Sequence, residues 1–405
     1  MTTPWPRAAF FADSYYGVDG VATTSRNLVE EARRQGLPFM IVRAGDKSRR
    51  SKEGSVEVVE LARGPVSFNI DLGLRFDLLF SRHFKKVVKN VRDFGAEVVH
   101  ITGPGDIGIT GARVAHALKL SLVASWHTNL HEFAAHRIQR LCWPLPEKHQ
   151  RDIARMTERF VLSGCLRFYK LAHVILAPNQ DQIRQLGSLT GKPVLPMRRG
   201  VDATLFSPVR RDVQDSVFRL GFVGRLRPEK NVRFLARIER ALIERGMTNI
   251  RFLIVGDGSE RLWLERNMRH AEFTGVLRGQ SLARAYANMD LFLFPSETDT
   301  FGNVILEAMA SGVPAIVTAK GGPKYLVQNC ATGFVAENED DFIAKAILMM
   351  TSPELHLRLT YACRDWARSR SWGQMLEDVR EAYQACLCQR APARACSVAL
   401  AAHST

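Results

Sequence analysis

Short apolar runs alternate along the chain with longer segments in which apolar residues recur at helical spacing. Residues 7–13 predict a buried strand, residues 21–35 a helix, and residues 38–43 a second strand. Further strands are predicted at 97–102, 122–126 and 173–177, and a later series at 220–224, 252–256, 291–294 and 315–318. Repeated alternation of this kind predicts an α/β fold with parallel sheets covered by helices.

The pattern breaks up between Pro193 and Asp215, where prolines, Gly200 and several charges interrupt it. We place the domain boundary there and predict one Rossmann-like domain over residues 1–200 and a second over 201–371. Two such domains joined by a short linker predict parallel sheets that face each other across a cleft. A helix is predicted over 372–388, and the tail 389–405 is predicted to be disordered.

Residues 80–94 (FSRHFKKVVKNVRDF) predict a basic amphipathic helix. Its apolar positions fall on one face, and Lys85, Lys86, Lys89 and Arg92 occupy the rest. Two interpretations are open. The apolar face packs on the protein's own core, as in most such helices, or the helix touches an anionic bilayer.

Residues 295–314 (PSETDTFGNVILEAMASGVP) predict a polar loop and a helix that begins near Thr300 or Phe301 and ends at Gly312. Asp299, Asn303 and Glu307 are four apart, so on a helix they would share one side. The two carboxylates would then be about 12 Å apart, enough to span a nucleotide diphosphate. A capped helix with a solvated Glu307 explains the same residues.

Composition and charge narrow the class of protein. The 405 residues contain no uninterrupted apolar run of transmembrane length and no recognisable signal peptide, so a cytoplasmic protein is expected. Seven scattered cysteines support neither a disulfide framework nor a zinc site. Residues 1–200 hold 30 basic and 18 acidic side chains, against 26 and 23 in 201–405. This basic excess suggests an anionic partner for the first half, either nucleic acid or a membrane surface.

Three glycine-containing segments are candidates for nucleotide sites. Gly17 and Gly20 lie in a loop before a helix, where they form either a tight turn or a backbone site for a ligand. Residues 103–108 match G-x-G-x-x-G, but no acidic residue ends the next strand, so we interpret them as a strand-to-helix turn. Gly256 and Gly258 allow close backbone approach, but the third glycine of a dinucleotide fingerprint is missing.

Two cations and one histidine are candidates for chemistry. Arg225 and Lys230 lie on a strand-to-helix loop and suit a diphosphate, although a loop of solvated charges has the same pattern. His127 follows a strand at the edge where α/β sheets bind ligands, and it is either an acceptor-binding group or a hydrogen-bonded rim residue. No Asp-x-Asp pair follows a strand, so no essential metal is expected.

Taken together, several motifs in order resemble the retaining glycosyltransferases of the GT-B fold, family 4. They are Gly224-Arg225 with Glu229-Lys230, Gly256-Asp257-Gly258, Pro295-Ser296, Phe301-Gly302, Glu307-Ala308 and Gly312-Val313-Pro314, and Arg199-Gly200-Val201-Asp202 is similar to the family's linker. The resemblance covers nearly the whole chain. It implies that residues 1–200 bind the acceptor, that 201–371 bind the nucleotide-sugar, and that the helix 372–388 packs back on the first domain.

The resemblance also implies roles for individual residues. Arg225 and Lys230 would neutralise the leaving diphosphate, and Glu307 would bind the nucleotide ribose. Asp299 stands where the family has the first Glu of its E-x7-E motif, which contacts the donor sugar. The other implied donor-binding residues are Phe301, Gly302, Asn303, Val304, Gly256, Gly258, Val276 and Leu277, and Gly17, Gly20 and His127 match elements on the acceptor side.

The segment from Ser296 to Asn303 looks most like the branch that contains GDP-mannose-dependent mannosyltransferases and the sulfoquinovosyl and glycosyl diacylglycerol synthases. The resemblance therefore implies transfer of a hexose to a lipid or glycolipid, with peripheral contact on the anionic inner face of a membrane and no cofactor. A UDP-sugar donor is the main alternative. A nicotinamide oxidoreductase and a nucleic-acid-binding protein are alternatives of other classes, and we expect neither of them.

Overall fold

The computed structural model describes residues 4–389, except 18, 65, 66, 72, 73 and 78. It divides into two compact units, one formed by Met1–Arg198 with Trp372–Thr405 and one formed by Arg199–Ser371. The predicted disorder of the tail concerns residues that, from 390 onward, lie outside the described part of the chain. Each unit is built around a sheet of mainly parallel strands.

The first unit begins with a βαβ element, as the apolar pattern predicts. Its strands are β1 (Ala8–Ala12), β2 (Phe39–Gly45), β3 (Arg49–Glu53), β4 (Val56–Ala62), β5 (Ser67–Asp71), β6 (Leu74–Asp77), β7 (Val98–Ile101), β8 (Ser121–Ser125), β9 (Val174–Ala177) and β10 (Val194–Pro196). Its helices before the boundary are α1 (Gly20–Arg34), α2 (Phe84–Phe94), α3 (Asp106–Ala117), α4 (Leu130–Leu141), α5 (Glu147–Tyr169) and α6 (Gln180–Thr190), with a 3-10 turn at Phe80–His83.

The sheet of this unit has the order β10-β9-β8-β7-β1-β2-β4-β3, and β5 and β6 form a separate antiparallel pair. All neighbours are parallel except β3 and β4. Because β1 lies between β2 and β7, the loops after β1 and β7 adjoin at the carboxyl edge of the sheet. Ligand sites of open α/β sheets form at this kind of position.

The second unit repeats the architecture with fewer strands. Its strands are β11 (Phe218–Val223), β12 (Ile250–Val255), β13 (Ala271–Gly275), β14 (Leu291–Phe294), β15 (Ala315–Thr318) and β16 (Gly333–Ala336), all parallel in the order β13-β12-β11-β14-β15-β16. Its helices are α7 (Arg233–Glu244), α8 (Arg261–Asn267), α9 (Gly279–Ala287), α10 (Asn303–Ala310), α11 (Glu339–Thr351) and α12 (Pro353–Arg368), and 3-10 turns lie at Pro208–Arg210, Pro228–Lys230 and Pro323–Tyr325.

The last helix, α13 (Trp372–Cys388), belongs to the first unit and packs against α1, β8 and β9. Met375, Val379 and Tyr383 are fully buried on one face of the first sheet. The amide of Arg198 donates to a carboxylate oxygen of Asp378 over 2.7 Å, and the guanidinium of Arg198 pairs with the same carboxylate. This charge-assisted contact attaches the start of the linker to the helix that follows the second unit.

The helix predicted over 80–94 forms as a 3-10 turn followed by α2, and its apolar face is covered. Val87, Val91 and Phe94 are buried in the core on the other face of the first sheet, and α2 packs beside α3. Lys85, Lys86 and Lys89 remain exposed. The core-packing interpretation is therefore the correct one for its apolar face, and the bilayer interpretation of that face is wrong.

Candidate active site

The candidate site lies at the carboxyl edge of the second sheet, where the strand order reverses. β11 is bordered by β12 on one side and by β14 on the other. The loop after β11 carries Arg225 and Lys230, and the loop after β14 carries Asp299. The topology thus brings together side chains that are about seventy positions apart in the chain. This is the place where open α/β sheets bind ligands.

The loop after β11 has a defined backbone shape. Pro228 starts a short 3-10 turn that ends at Lys230, and Asn231 then adopts a left-handed conformation with φ of 51°. The hydroxyl of Thr298 donates to the carbonyl oxygen of Glu229 over 3.1 Å, so the loop after β14 holds this turn in place. Proline at the first position and Asn at a positive φ are the residue types that such a turn favours.

Lys230 and Asp299 form an ion pair within this site. The Nζ atom of Lys230 lies 2.5 Å from Oδ1 and 2.7 Å from Oδ2 of Asp299, and their side chains are only 12% and 21% exposed. Burial by itself would raise the pKa of Asp299, but Lys230, the Ser296 hydroxyl and the nearby Arg225 guanidinium hold that pKa below its usual value. Asp299 is therefore an ionised carboxylate that pairs with Lys230 and is also stabilised by the charge of Arg225.

Helix α10 begins at Asn303 rather than at Thr300 or Phe301 as predicted. Gly302 precedes it with φ of 101°, a conformation that an L side chain disfavours, and this turn sets the first helical residue. Asp299 consequently lies in the loop before the helix, and the spacing of four residues does not place it on a helical face with Glu307. The distance of about 12 Å expected for a continuous helix does not apply.

Asn303 is the first residue of α10, and its side chain is shielded from solvent. Within the described residues, neither its Oδ1 nor its Nδ2 atom has a hydrogen-bond partner. A side-chain amide that is shielded from water and has no hydrogen-bond partner is energetically unfavourable. Because the Asn303 amide has already lost its water, it can form hydrogen bonds with a ligand at little further desolvation cost.

Glu307 is half-buried one turn further along α10, and it is not the solvated glutamate of the simpler interpretation. The hydroxyl of Tyr286, on α9, donates to Oε2 of Glu307 over 2.8 Å. Burial raises the pKa of Glu307 to about 7, and the bond from Tyr286 opposes this only in part. Additional hydrogen-bond donors would stabilise the ionised form of this carboxyl group, and a pair of adjacent hydroxyl groups on a ligand would provide them.

Gly256 and Gly258 permit close contact between two loops of the protein itself. A Cβ atom at Gly256 would lie 1.9 Å from the carbonyl oxygen of Gly224, and one at Gly258 would lie 2.3 Å from that of Leu226. The Leu226 amide donates to the carbonyl oxygen of Asp257 over 2.9 Å. The close backbone approach expected from the sequence therefore exists, and the partner is the loop that carries Arg225.

Sequence reasoning missed a second glycine pair on the other side of the site. A Cβ atom at Gly322 would lie 1.9 Å from the carbonyl oxygen of Thr300, and the Gly322 amide donates to the carbonyl oxygen of Asp299 over 2.7 Å. Lys320, in the same loop, pairs with Glu297 over 3.1 Å. The two adjacent glycines after β15 were the available signal for this loop.

The remaining predicted donor residues differ in accessibility. Phe301 is buried, with the guanidinium carbon of Arg199 5.0 Å from its ring centre. Val304 and Leu277 are partly buried against the core, whereas Val276 is 54% exposed just after β13. Arg199 and Tyr286 are contacts that the sequence had not singled out for the site.

In the first unit, the predicted acceptor-side residues also lie at the carboxyl edge of the sheet. His127 is buried two residues after β8, and Gly17 and Gly20 lie between β1 and the first turn of α1. The Asp19 carboxylate accepts hydrogen bonds from the Val21 and Ala22 amides, both over 2.9 Å. Two of the amides at this helix N-terminus are therefore already bound by the chain itself.

The G-x-G-x-x-G segment over residues 103–108 is a strand-to-helix turn, as predicted. Its amide groups bind a carboxylate of the protein: Gly108 donates to Asp13 over 2.9 Å and Gly105 over 3.3 Å. Burial raises the pKa of Asp13 to about 7 despite these bonds. A dinucleotide phosphate would have to displace this buried carboxyl group.

Two sequence profiles match most of the chain. The one described as Glycosyltransferase Family 4 matches residues 18–205, and the one described as Glycosyl transferases group 1 matches residues 217–352. The chain is also 30% identical over 404 residues to the GDP-mannose-dependent alpha-mannosyltransferase of Mycolicibacterium smegmatis. The matched region covers 95% of this chain and 98% of that protein.

The chain belongs to glycosyltransferase family 4. The sulfoquinovosyl transferase of Arabidopsis thaliana is a second relative, 27% identical over 323 residues, covering 75% of this chain and 59% of that protein. Among solved structures, the sucrose-phosphate synthase of Thermosynechococcus elongatus superposes with a TM-score of 0.70 at 17% identity, covering 94% of this chain and 99% of that one. The fold is accordingly that of the GT-B glycosyltransferases, with two Rossmann-like domains.

Membership in this family sets aside the oxidoreductase and nucleic-acid-binding interpretations. The chain is a glycosyltransferase, and the family supports a nucleotide-sugar donor. The roles of the individual side chains remain predictions.

No group of three or more His, Cys, Asp or Glu side chains within the described residues is arranged to hold a metal ion. Positive charge at the switch point of the second sheet is provided by Arg225 and Lys230.

Proposed function

We propose that this glycosyltransferase transfers mannose from GDP-mannose to a hydroxyl group of a lipid or glycolipid, with retention of the anomeric configuration. The observation that carries the proposal is the arrangement of Arg225, Lys230 and Asp299 beside the start of α10. Similarity over nearly the full length to a relative named as GDP-mannose-dependent supports the choice of donor.

The diphosphate of the donor would be bound by the two cations. Arg225 offers a planar fork of donors and Lys230 a compact charge, and both suit phosphate oxygens. Lys230 would exchange its contact with Asp299 for one with a phosphate, which frees Asp299 to accept hydrogen bonds from sugar hydroxyl groups. The two residues would then bind opposite ends of the bond that breaks.

The nucleoside would be bound along α10 and the neighbouring loops. Glu307 would accept hydrogen bonds from the two ribose hydroxyl groups. These bonds would stabilise the ionised form of a carboxyl group whose pKa is raised by burial. The Asn303 side chain and the amides at the start of α10 would contact the phosphate and sugar.

The reaction breaks the bond between the anomeric carbon and a diphosphate oxygen. Negative charge develops on the leaving diphosphate, where Arg225 and Lys230 stabilise it without a metal ion. The acceptor oxygen forms the new bond on the same face of the sugar, and its proton passes to the departing phosphate oxygen. His127 would orient the acceptor or polarise its hydroxyl group. We expect EDTA to leave turnover unchanged.

A lipid acceptor is supported by charge and by similarity. The basic excess lies in residues 1–200, which fits peripheral contact with an anionic inner membrane face. None of the helices in the described part of the chain is both long enough and apolar enough to span a bilayer. A different sugar is the second candidate, because the Arabidopsis relative is named a sulfoquinovosyl transferase and the family's Glu is replaced here by Asp299.

A transfer assay with purified protein tests this function. Radiolabelled GDP-mannose, UDP-glucose and UDP-galactose are supplied separately with membrane lipid extract, and the anomeric configuration of the product is read by NMR. The proposal expects mannolipid with the α configuration of the donor. Transfer from a UDP-sugar alone, or a product of inverted configuration, contradicts it.

A further inference from the structure

The hairpin formed by α4 and α5 exposes large apolar side chains that the sequence analysis did not single out. Trp143 in the connecting segment is 77% exposed, and Met156 and Phe160 on α5 are 72% and 81% exposed. Leu141 and Leu145 beside Trp143 are also exposed. Together, Leu141, Trp143, Leu145, Met156 and Phe160 form what we call the hairpin apolar set.

These exposed residues do not belong to the stripe that holds α5 on the protein. Ala154, Cys165 and Tyr169 are the buried residues of α5, and Cys165 and Tyr169 belong to the core of the first unit. Met156 and Phe160 are four apart and point to another side of the same helix. Neither Met156 nor Phe160 contributes to the core that holds α5 on the first unit.

The exposed charges around the hairpin apolar set are mainly positive. Among residues 130–170 whose side chains the structure describes, seven cations and two carboxylates are exposed, the cations being Arg137, Lys148, Arg151, Arg155, Arg159, Arg167 and Lys170. Glu147, one of the two carboxylates, already pairs with Arg151 over 2.8 Å. Apolar side chains among cations are suited to the interface of a membrane that contains anionic lipids.

Other occupants fit this surface less well. In a symmetric contact with a second copy, the same cations would face each other and repel. A single-stranded nucleic acid would use the cations and Trp143 but would leave Leu141, Leu145 and Met156 without apolar partners. A bilayer supplies both the anionic headgroups and the hydrocarbon.

We propose that the α4–α5 hairpin is the membrane-binding surface of this protein, with the hairpin apolar set inserted at the headgroup boundary and the surrounding cations on anionic lipid. An enzyme that uses a lipid acceptor must reach the membrane, and in that respect the inference rests on the proposed function. The helix α2, whose apolar face is buried, would contribute only charge.

Co-sedimentation of the full chain with vesicles tests the surface. One set of vesicles is phosphatidylcholine, and the other is an equal mixture with phosphatidylglycerol. We expect binding to the mixed vesicles, and Met156→Ser with Phe160→Ser should lower it about tenfold or more. Arg155→Gln with Arg159→Gln should weaken binding roughly fivefold per charge and reduce its dependence on salt. Because all four side chains are exposed, the variants should fold normally.

The matched control is Leu357→Ser with Tyr361→Ser on α12, an exposed apolar pair with the same spacing in the other unit, and it should leave binding unchanged. The proposal is overturned if the wild type does not bind the mixed vesicles or if Met156→Ser with Phe160→Ser binds as the wild type does. It is also overturned if neutralising Lys85, Lys86 and Lys89 alone abolishes vesicle binding. A further contrary result is that the hairpin variants convert a dimer to a monomer and leave vesicle binding unchanged. GDP-mannose binding, measured on the same proteins, reports separately on the proposed function.

Discussion

Lys230 and Asp299 pair with each other across two loops, with the Lys230 ammonium nitrogen 2.5 Å and 2.7 Å from the two carboxylate oxygens. The resemblance to the family implies that they bind different parts of the donor, the diphosphate and the sugar. If they have these roles, their contact would connect them, because a phosphate that bound Lys230 would release Asp299 at the same time. Each residue also balances the charge of the other in a partly buried position.

This pairing predicts that single and double substitutions differ. Lys230→Ala leaves Asp299 without its main partner, and Asp299→Asn leaves Lys230 without a counter-charge, so each should lower the free energy of unfolding by about 1–3 kcal/mol. The double variant should recover about 1–2 kcal/mol of the summed loss in chemical denaturation. Turnover should fall about 10²–10³-fold in Lys230→Ala and should not recover in the double variant. Additive stabilities would show that the pair does not exist in solution.

Asp299 also predicts where sugar selectivity can be altered. Asp299→Glu introduces the first Glu of the family's E-x7-E motif and lengthens the side chain by one carbon, so it should change the proposed contact with sugar hydroxyl groups. The ratio of kcat/KM values for GDP-mannose and a competing hexose donor with the same base should shift by about 10–200-fold.

The matched control for this change is Glu307→Gln, which should weaken all donors with the same nucleoside to the same degree. An unchanged sugar ratio in Asp299→Glu would remove Asp299 from the sugar site.

Glu307 predicts a pH dependence of stability with a definite sign. Its pKa is about 7 in the folded protein, against 4.5 for an ordinary glutamate. Between these values the folded state holds more protons than the unfolded state, so the contribution of Glu307 to stability falls as pH rises from about 4.5 to 7. The unfolding free energy of Glu307→Gln relative to wild type should therefore rise by up to about 3 kcal/mol over this range. If the unfolding free energies of wild type and Glu307→Gln depend on pH in the same way, the raised pKa of Glu307 is contradicted.

Gly322 predicts a link between loop packing and donor binding. A methyl group there would meet the Thr300 carbonyl oxygen at 1.9 Å, so Gly322→Ala should displace the loop that carries Asp299. We expect a loss of about 1–3 kcal/mol in stability and weaker donor binding by calorimetry.

The control for Gly322 is Gly187→Ala on α6, where the nearest atom to the added methyl group is 3.9 Å away. It should be neutral or slightly stabilising. Equal behaviour of the two variants would show that the contact at Thr300 does not constrain the loop.

Parts of this account could be predicted from the sequence because their signals are local. Buried parallel strands such as β11 and β14 are short apolar runs, and the order of motifs indicates the family. The apolar pattern does not predict β13, because its sequence AEFTG is only partly apolar, as expected for an edge strand. The apolar pattern places the start of α10 two or three residues too early, because the left-handed Gly302 determines where the helix begins.

The contacts of the carboxylates could not be predicted, because they depend on how separate elements are brought together. Tyr286 and Glu307 lie on different helices, and no spacing rule relates them. The pair of Lys230 and Asp299 depends on β11 and β14 being neighbours in the sheet. In the same way, the sequence indicated a basic first half but not which helix keeps apolar residues exposed.

The most direct test of the donor site is a thermal-shift titration with GDP-mannose, in parallel with UDP-glucose, on wild type, Arg225→Ala and Arg227→Ala. Arg227 lies in the same loop and serves as the control for loss of an arginine. At a hundredfold excess over Kd, GDP-mannose should stabilise wild type by about 2–3 kcal/mol. Arg227→Ala should respond similarly, and Arg225→Ala much less. No stabilisation by either nucleotide-sugar, or an undiminished response in Arg225→Ala, would contradict the account.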